Sequence, residues 1–180
     1  MLQYFIRCVV GVFIALFCNL VNAQTQWEGW DYKFDREITS WTEMQAQLPA
    51  YPVDMNLIPL DVGPETPFRY FVDARSVSTG NDGISRYTLV IKTPGGATNV
   101  SFEGIRCESR EQKYYAIGRS DKSWARARNP QWRFIEYREF GGHHITLYKE
   151  YLCRGKIMVE PAELIVQALR AGPSRSQSRD

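Results

Sequence analysis

The sequence predicts an α+β fold with an antiparallel β-meander sheet of about six strands, a short N-terminal helix and a C-terminal amphipathic helix. Apolar and polar side chains alternate at residues 68–73 and 86–92, which is the period of half-buried strands. Short turns separate the successive strands and favour antiparallel neighbours. An apolar stripe with helical spacing follows at residues 164–169. The alternative architecture is a β-sandwich decorated by helices.

The first predicted element is the short helix. Ser40 and Glu43 have the spacing of a capping box, in which the two side chains satisfy free backbone N–H groups where a helix starts. We expect this helix to end near Leu48, before Pro52, because proline cannot continue a helix.

Four strands and a hairpin follow. The strands within 68–73 and 86–92 are joined by the glycine-containing loop 80–83, and two more are predicted at 99–107 and 113–118. A last hairpin is predicted from 132–140 and 144–153, which meet around Gly141 and Gly142.

The C-terminal helix has clear start and stop signals. Pro161 suits its first turn, and Gly172 ends it. The serine-rich, charged residues 173–180 are predicted to be a disordered tail.

The first 23 residues have the order of a secretory signal. One basic side chain, Arg7, precedes the apolar run 8–21, and a small residue at Ala23 offers a cleavage point. The run is short for a membrane span, which needs ~20 residues. We therefore predict cleavage after Ala23 and a single domain over 24–172, located in the periplasm. The alternatives are an uncleaved anchor and a lipoprotein signal that ends at Cys18.

The charge balance restricts the partner classes. The chain has 22 Lys and Arg against 20 Asp and Glu, which gives a net charge of +2. This near-neutrality argues against a nucleic-acid partner.

The cysteines are consistent with an oxidising compartment. Cys8 and Cys18 leave with the predicted signal, so that one pair, Cys107 and Cys153, remains. We predict that this pair forms a disulfide. The alternative is a redox or metal pair, although the spacing is not that of a Cys-x-x-Cys motif.

The two histidines and three carboxylates are the candidates for chemistry. On the predicted strand, His143 should face inward and His144 outward, so that they cannot share one metal ion. Asp73, Asp82 and Glu103 are interpreted as solvated strand and turn acids, and paired carboxylates for glycosidic chemistry are the alternative. No catalytic residue, metal ligand or cofactor site is predicted.

A basic segment with two tryptophans follows the fourth strand. We interpret it as a loop whose tryptophans fill the core and whose charges face water. Binding of an anionic glycan or lipid headgroup is the alternative. The residues concerned are Arg119, Trp124, Arg126, Arg128 and Trp132.

The run Gly-Ala-Thr-Asn-Val-Ser-Phe-Glu-Gly-Ile-Arg-Cys at 96–107 resembles the cryptic neisserial protein-like family of exported bacterial proteins, as does most of 57–155. The resemblance implies a periplasmic location in a Gram-negative cell and supplies no catalytic residues. It marks Glu103, Gly104, Arg106 and Cys107 as the family's motif. Packing is the physical interpretation of this motif, with Gly104 allowing another backbone or an aromatic ring to approach.

The expected function is a non-catalytic, soluble periplasmic module that binds envelope material or a protein partner. The rival hypothesis is an envelope hydrolase that uses His143 or His144 with a nearby carboxylate, Glu103 or Asp73. A structural or chaperone-like role in the envelope is a third hypothesis.

Overall fold

The computed structural model describes residues 41–63, 66–136, 142–155 and 158–172, and the predicted signal, its cleavage point at Ala23 and the tail lie outside them. The described residues confirm the α+β class. Six antiparallel strands form the path β1-β2-β4-β5-β6-β7, with β3 paired to β4 and β8 paired to β6. The strands are β1 (Leu57–Leu60), β2 (Arg69–Asp73), β3 (Ser78–Thr79), β4 (Ile84–Lys92), β5 (Thr98–Arg106), β6 (Glu111–Gly118), β7 (Trp124–Arg126) and β8 (Arg133–Phe134).

Two helical segments pack with the sheet. The first begins as α1 (His143–Thr146) and continues as a π-helical segment (Leu147–Leu152), and the second is α2 (Ala162–Ala171). A short pair of strands, β9 (Cys153–Arg154) and β10 (Met158–Val159), lies between them. No helix among these residues is long and apolar enough to span a bilayer.

The two faces of the sheet carry different clusters, because successive side chains of a strand point to opposite faces. Tyr87 and Leu89 belong to the main core, which also contains Ile165 and Leu169 of α2. On the other face Phe102 belongs to a smaller cluster with Leu48 and Trp124 packed against it.

The prediction of a strand over 144–153 was wrong. Residues 143–152 are helical, and Gly142 precedes them with a φ of 55°. The buried side chains His144, Tyr148 and Leu152 recur every four residues, which is a helical spacing. The same segment also has apolar residues at alternate positions, and this spacing is the reason that the sequence predicts a strand there. Of the predicted hairpin's other arm, the described part forms only the two residues of β8.

The predicted helix from Ser40 to Leu48 is also wrong over its described part. Residues 41–53, here called the strap, contain no helix, and a 3₁₀ turn follows at Asp54–Asn56. The Glu43 carboxylate accepts a hydrogen bond from Lys113 Nζ at 2.7 Å, and the backbone N–H of Met44 donates to Asp82 at 2.9 Å. Contacts with the sheet therefore replace the capping and the first turn that a helix would need.

Candidate functional site

A histidine–carboxylate cluster lies inside the main core. Glu103 Oε2 accepts hydrogen bonds from His144 Nε2 and from the hydroxyl of Tyr87, both at 3.0 Å. Its other oxygen accepts from the hydroxyl of Ser101. We call these four residues the Glu103 cluster. Glu103 is 0 % exposed and His144 is 1 % exposed, so the two groups are sealed from solvent.

The charge of His144 sets the ionisation of this cluster. Burial by itself raises the pKa of Glu103, because it removes water from the charged form. The charge and hydrogen bond of His144 outweigh burial, helped by His143 and Ser101, and lower the pKa below its ordinary value of 4.5. Glu103 is therefore an ionised acid in a buried site.

The histidine predictions were partly wrong. His143 is buried as predicted, but His144 is buried too rather than facing outward. The two rings are 4.1 Å apart between centroids, and His143 also stacks on Tyr70 at 5.1 Å. A helical backbone allows neighbouring side chains to lie on the same side. Among the described residues no group of three or more His, Cys, Asp or Glu could hold a metal ion.

The interpretation of the three carboxylates as solvated acids was wrong, since all three are buried. Asp73 lies away from the histidines along β2, and its Oδ1 accepts from the backbone N–H of Arg75 at 3.2 Å. Burial raises the pKa of Asp73, and this N–H and the Arg75 charge oppose the rise only in part.

Asp82 has a third environment, in which it fixes the strap. Its Oδ2 accepts from Arg86 Nη2 at 2.5 Å, and the same nitrogen donates to the backbone oxygen of Met44 at 3.0 Å. Burial raises the pKa of Asp82, but the hydrogen bonds from Arg86 and from the Met44 N–H outweigh it and lower the pKa below its ordinary value.

The family motif has a packing role at three positions. A Cβ on Gly104 would lie 2.8 Å from the Tyr115 ring, so the close approach of an aromatic ring is found. The guanidinium of Arg106 lies 4.0 Å from the centroid of Trp41. Cys107 forms the predicted disulfide with Cys153.

The tryptophans of the basic segment pack against the strap. Trp124 Nε1 donates to the backbone oxygen of Pro49 at 2.9 Å, and Trp132 Nε1 donates to Glu43 at 3.2 Å. Both tryptophans are half-buried. The basic side chains are exposed and lie at positions Arg119, Arg126 and Arg128. The charges face water as predicted, but the prediction of a loop was wrong at Trp124–Arg126, which form β7 and pair with β6.

An open cleft that the sequence did not reveal lies between β1, the turn after β2, and α2. Its volume is about 430 Å³, and Arg75 and Arg170 are among its lining residues. We call it the Arg75–Arg170 cleft. Neither guanidinium takes part in a hydrogen bond or ion pair with another described residue, and both side chains are exposed. No local signal joins two arginines so far apart in the chain, so only the fold brings them together.

The comparisons with known proteins identify the family. The model of the CNP1-like family matches residues 36–170, about three quarters of the chain. No curated protein and no solved structure matches. The match contains the whole sheet, the Glu103 cluster and both cleft arginines. The chain therefore belongs to the CNP1-like family of bacterial proteins, as the motif at 96–107 predicted.

Proposed function

We propose that this protein is exported by the signal predicted at residues 1–23 and acts in the periplasm as a non-catalytic module that binds envelope material. The Arg75–Arg170 cleft is the observation that carries the proposal. Its volume of about 430 Å³ lies in the range of small-molecule sites. Arg75 and Arg170, which form no ion pair with another described residue, place two cations in its lining, and such charges can fix a ligand's orientation.

The burial of the Glu103 cluster favours binding over hydrolysis. A general base must reach the proton of its substrate or of an attacking water within hydrogen-bond distance. Glu103 and His144 have the mutual distance of such a pair, but both are enclosed by the core. The cluster's hydrogen bonds are already made within the protein, and this supports a structural role for it.

A ligand screen tests the proposal. Purified mature protein is heated with phospholipid headgroup analogues, peptidoglycan fragments and lipopolysaccharide fragments in turn, and the unfolding temperature is measured. A ligand present at about 100 times its Kd adds about 2.7 kcal/mol to the free energy of unfolding. For a domain of this size the unfolding temperature should rise by about 5–10 °C.

Two outcomes would contradict binding of envelope material. No shift with any class, together with no envelope component recovered by crosslinking in cells, would count against it. Release of product from a glycan substrate that is lost in His144→Asn would support the hydrolase instead.

The location is tested separately. N-terminal sequencing of periplasmic material should begin at Gln24, because cleavage is predicted after Ala23. A periplasmic chain that still begins at Met1 would refute cleavage.

A further inference from the structure

We propose that the Arg75–Arg170 cleft binds a phosphate monoester that carries a single apolar chain. This inference rests on the proposed function and names the ligand class of that module.

The two cations match the charge of a phosphate monoester. Such a group carries about −1.5 to −2 at neutral pH, whereas a carboxylate carries about −1. Guanidinium groups donate two parallel hydrogen bonds to phosphate oxygens, so that two arginines can hold one phosphate from two sides. Among the described residues, no acid forms an ion pair with either arginine. The Asp73 carboxylate accepts from the backbone N–H of Arg75 and interacts with its guanidinium by charge alone, and Asp54 is paired with Lys92 at 2.9 Å.

The backbone positions of both arginines are held by local structure. Arg75 lies in the turn after β2, two residues beyond Asp73, and its backbone N–H donates to the Asp73 carboxylate. Arg170 lies in the last turn of α2, one turn after Val166, which lines the same cleft. The bases of the two side chains are therefore fixed, and only their flexible ends adapt to a ligand.

The remaining lining explains the apolar chain. Leu57 and Val166, which are half-buried, supply aliphatic surface in the lining that also contains the two cations. Met55, also in the lining, is 89 % exposed, and methionine adapts readily to an apolar group. A volume of about 430 Å³ is near the lower end of the range for ligand sites, which favours one short chain over a two-chain lipid.

The edge of the sheet beside the cleft disfavours a peptide as the ligand. β1 is the end strand of the sheet path, and a peptide could in principle extend the sheet there. Pro59 lies inside β1, however, and lacks the N–H that an added strand would need from this edge. A small amphiphile needs no such donor.

Calorimetric titration of the mature protein tests the assignment. Decyl phosphate is used below its micelle concentration, with inorganic phosphate as the headgroup alone, decyl maltoside as the chain alone and decanoate as the carboxylate. We expect decyl phosphate to bind at least tenfold more tightly than each of the other three, because only it satisfies both parts of the cleft. The affinity should fall as salt is added.

Arginine variants locate the site. Arg75→Gln and Arg170→Gln should each weaken decyl phosphate binding about tenfold or more, since each removes charge-assisted hydrogen bonds. Arg69→Gln is the matched control, because Arg69 is an exposed arginine of β2 that does not line this cleft. Its affinity should change less than about twofold. All three variants should keep the stability of the wild type, because substitutions of exposed side chains seldom change it.

The outcomes separate the two proposals. If decyl phosphate binds Arg75→Gln and Arg170→Gln as tightly as it binds the wild type, the assignment to the cleft is wrong. If decanoate binds as tightly as decyl phosphate, the preference for a phosphate headgroup is wrong. A glycan hit in the screen without amphiphile binding overturns this inference and leaves the binding module intact. If no ligand of any class binds, both this inference and the proposed binding function are refuted.

Discussion

Replacement of Glu103 by glutamine should destabilise the protein, because it removes the carboxylate charge to which the other members of the cluster bind. Glu103 is fully buried and accepts hydrogen bonds from Tyr87, Ser101 and His144. Glutamine keeps the shape but presents one oxygen and one NH₂ group, and it carries no charge.

The magnitude follows from the bonds that change. A hydrogen bond to a charged group contributes about 1.5–3 kcal/mol, and a neutral one about 0.5–1.5 kcal/mol. In the variant, the bonds with Tyr87, Ser101 and His144 all become neutral, and the Ser101 hydroxyl can accept from the new NH₂ group instead of donating. The expected loss of unfolding free energy is about 2–3 kcal/mol, which for a domain of this size lowers the unfolding temperature by about 5–10 °C. The full cost of 3–5 kcal/mol for breaking a buried pair is avoided, because His144 can release its proton.

The loss should also depend on pH. The pKa of Glu103 in the folded protein lies below its ordinary value, so its contribution to stability is fully present above about pH 4.5. It disappears as the pH falls through the lowered folded pKa. The difference in unfolding free energy between wild type and Glu103→Gln should therefore shrink as the pH falls below 4.5 and through the lowered folded pKa.

Urea unfolding with the disulfide intact, followed by tryptophan fluorescence over this pH range, measures the effect. Glu108→Gln is the control, because Glu108 is an exposed acid just beyond the same strand, and its change should stay within about 0.5 kcal/mol. If Glu103→Gln were no more destabilising than Glu108→Gln at neutral pH, the role assigned to the cluster would be wrong. A large loss that did not vary with pH would refute the ionised state of Glu103.

Two further predictions concern the family motif. Gly104→Ala should lower the unfolding free energy by about 1–3 kcal/mol, because its Cβ meets a packed ring and must displace it. Gly95→Ala is the control, because a Cβ at Gly95 would have no neighbour closer than 3.9 Å and should change the unfolding temperature little. Equal unfolding temperatures for the two variants would contradict the packing role of Gly104. The double substitution Cys107→Ala and Cys153→Ala should cost about 4 kcal/mol in the chain-entropy model for a separation of 46 residues, measured by urea unfolding. A loss under about 1 kcal/mol would show that the crosslink contributes little.

The sheet could be predicted from the sequence because its signals are local. Alternation with a period of two and glycine-containing turns located β2, β4, β5 and β6 to within a few residues. The two failures have a common cause, which is competition between local and tertiary contacts. The capping-box residue Glu43 is bound by Lys113 from the sheet instead. At 143–152 the apolar residues fit both periods, and packing selected the helix.

The functional candidates were predictable only in part. Sequence reasoning named Glu103 and His144 as one catalytic alternative, and the fold does bring them within 3.0 Å. Their burial could not be foreseen, since it depends on the helical segment that the sequence suggested to be a strand. No pattern in the sequence indicated the Arg75–Arg170 cleft. Its two cations come from distant parts of the chain and resemble ordinary surface arginines.

The contacts of the family motif at 103–107 indicate a role in stability that is separate from ligand binding in the Arg75–Arg170 cleft. Glu103 on β5 holds His144 at the start of the helical segment, and Cys107, just after the same strand, holds Cys153 at its end. One strand therefore anchors the segment at both ends, by a charged hydrogen bond and by a covalent bond. A segment held in this way keeps the core closed. The proposed ligand contacts lie instead on the surface, where neither cleft guanidinium forms a hydrogen bond or ion pair with another described residue. Loss of the anchors should thus reduce stability first, whereas loss of Arg75 or Arg170 should reduce binding in a protein that remains folded.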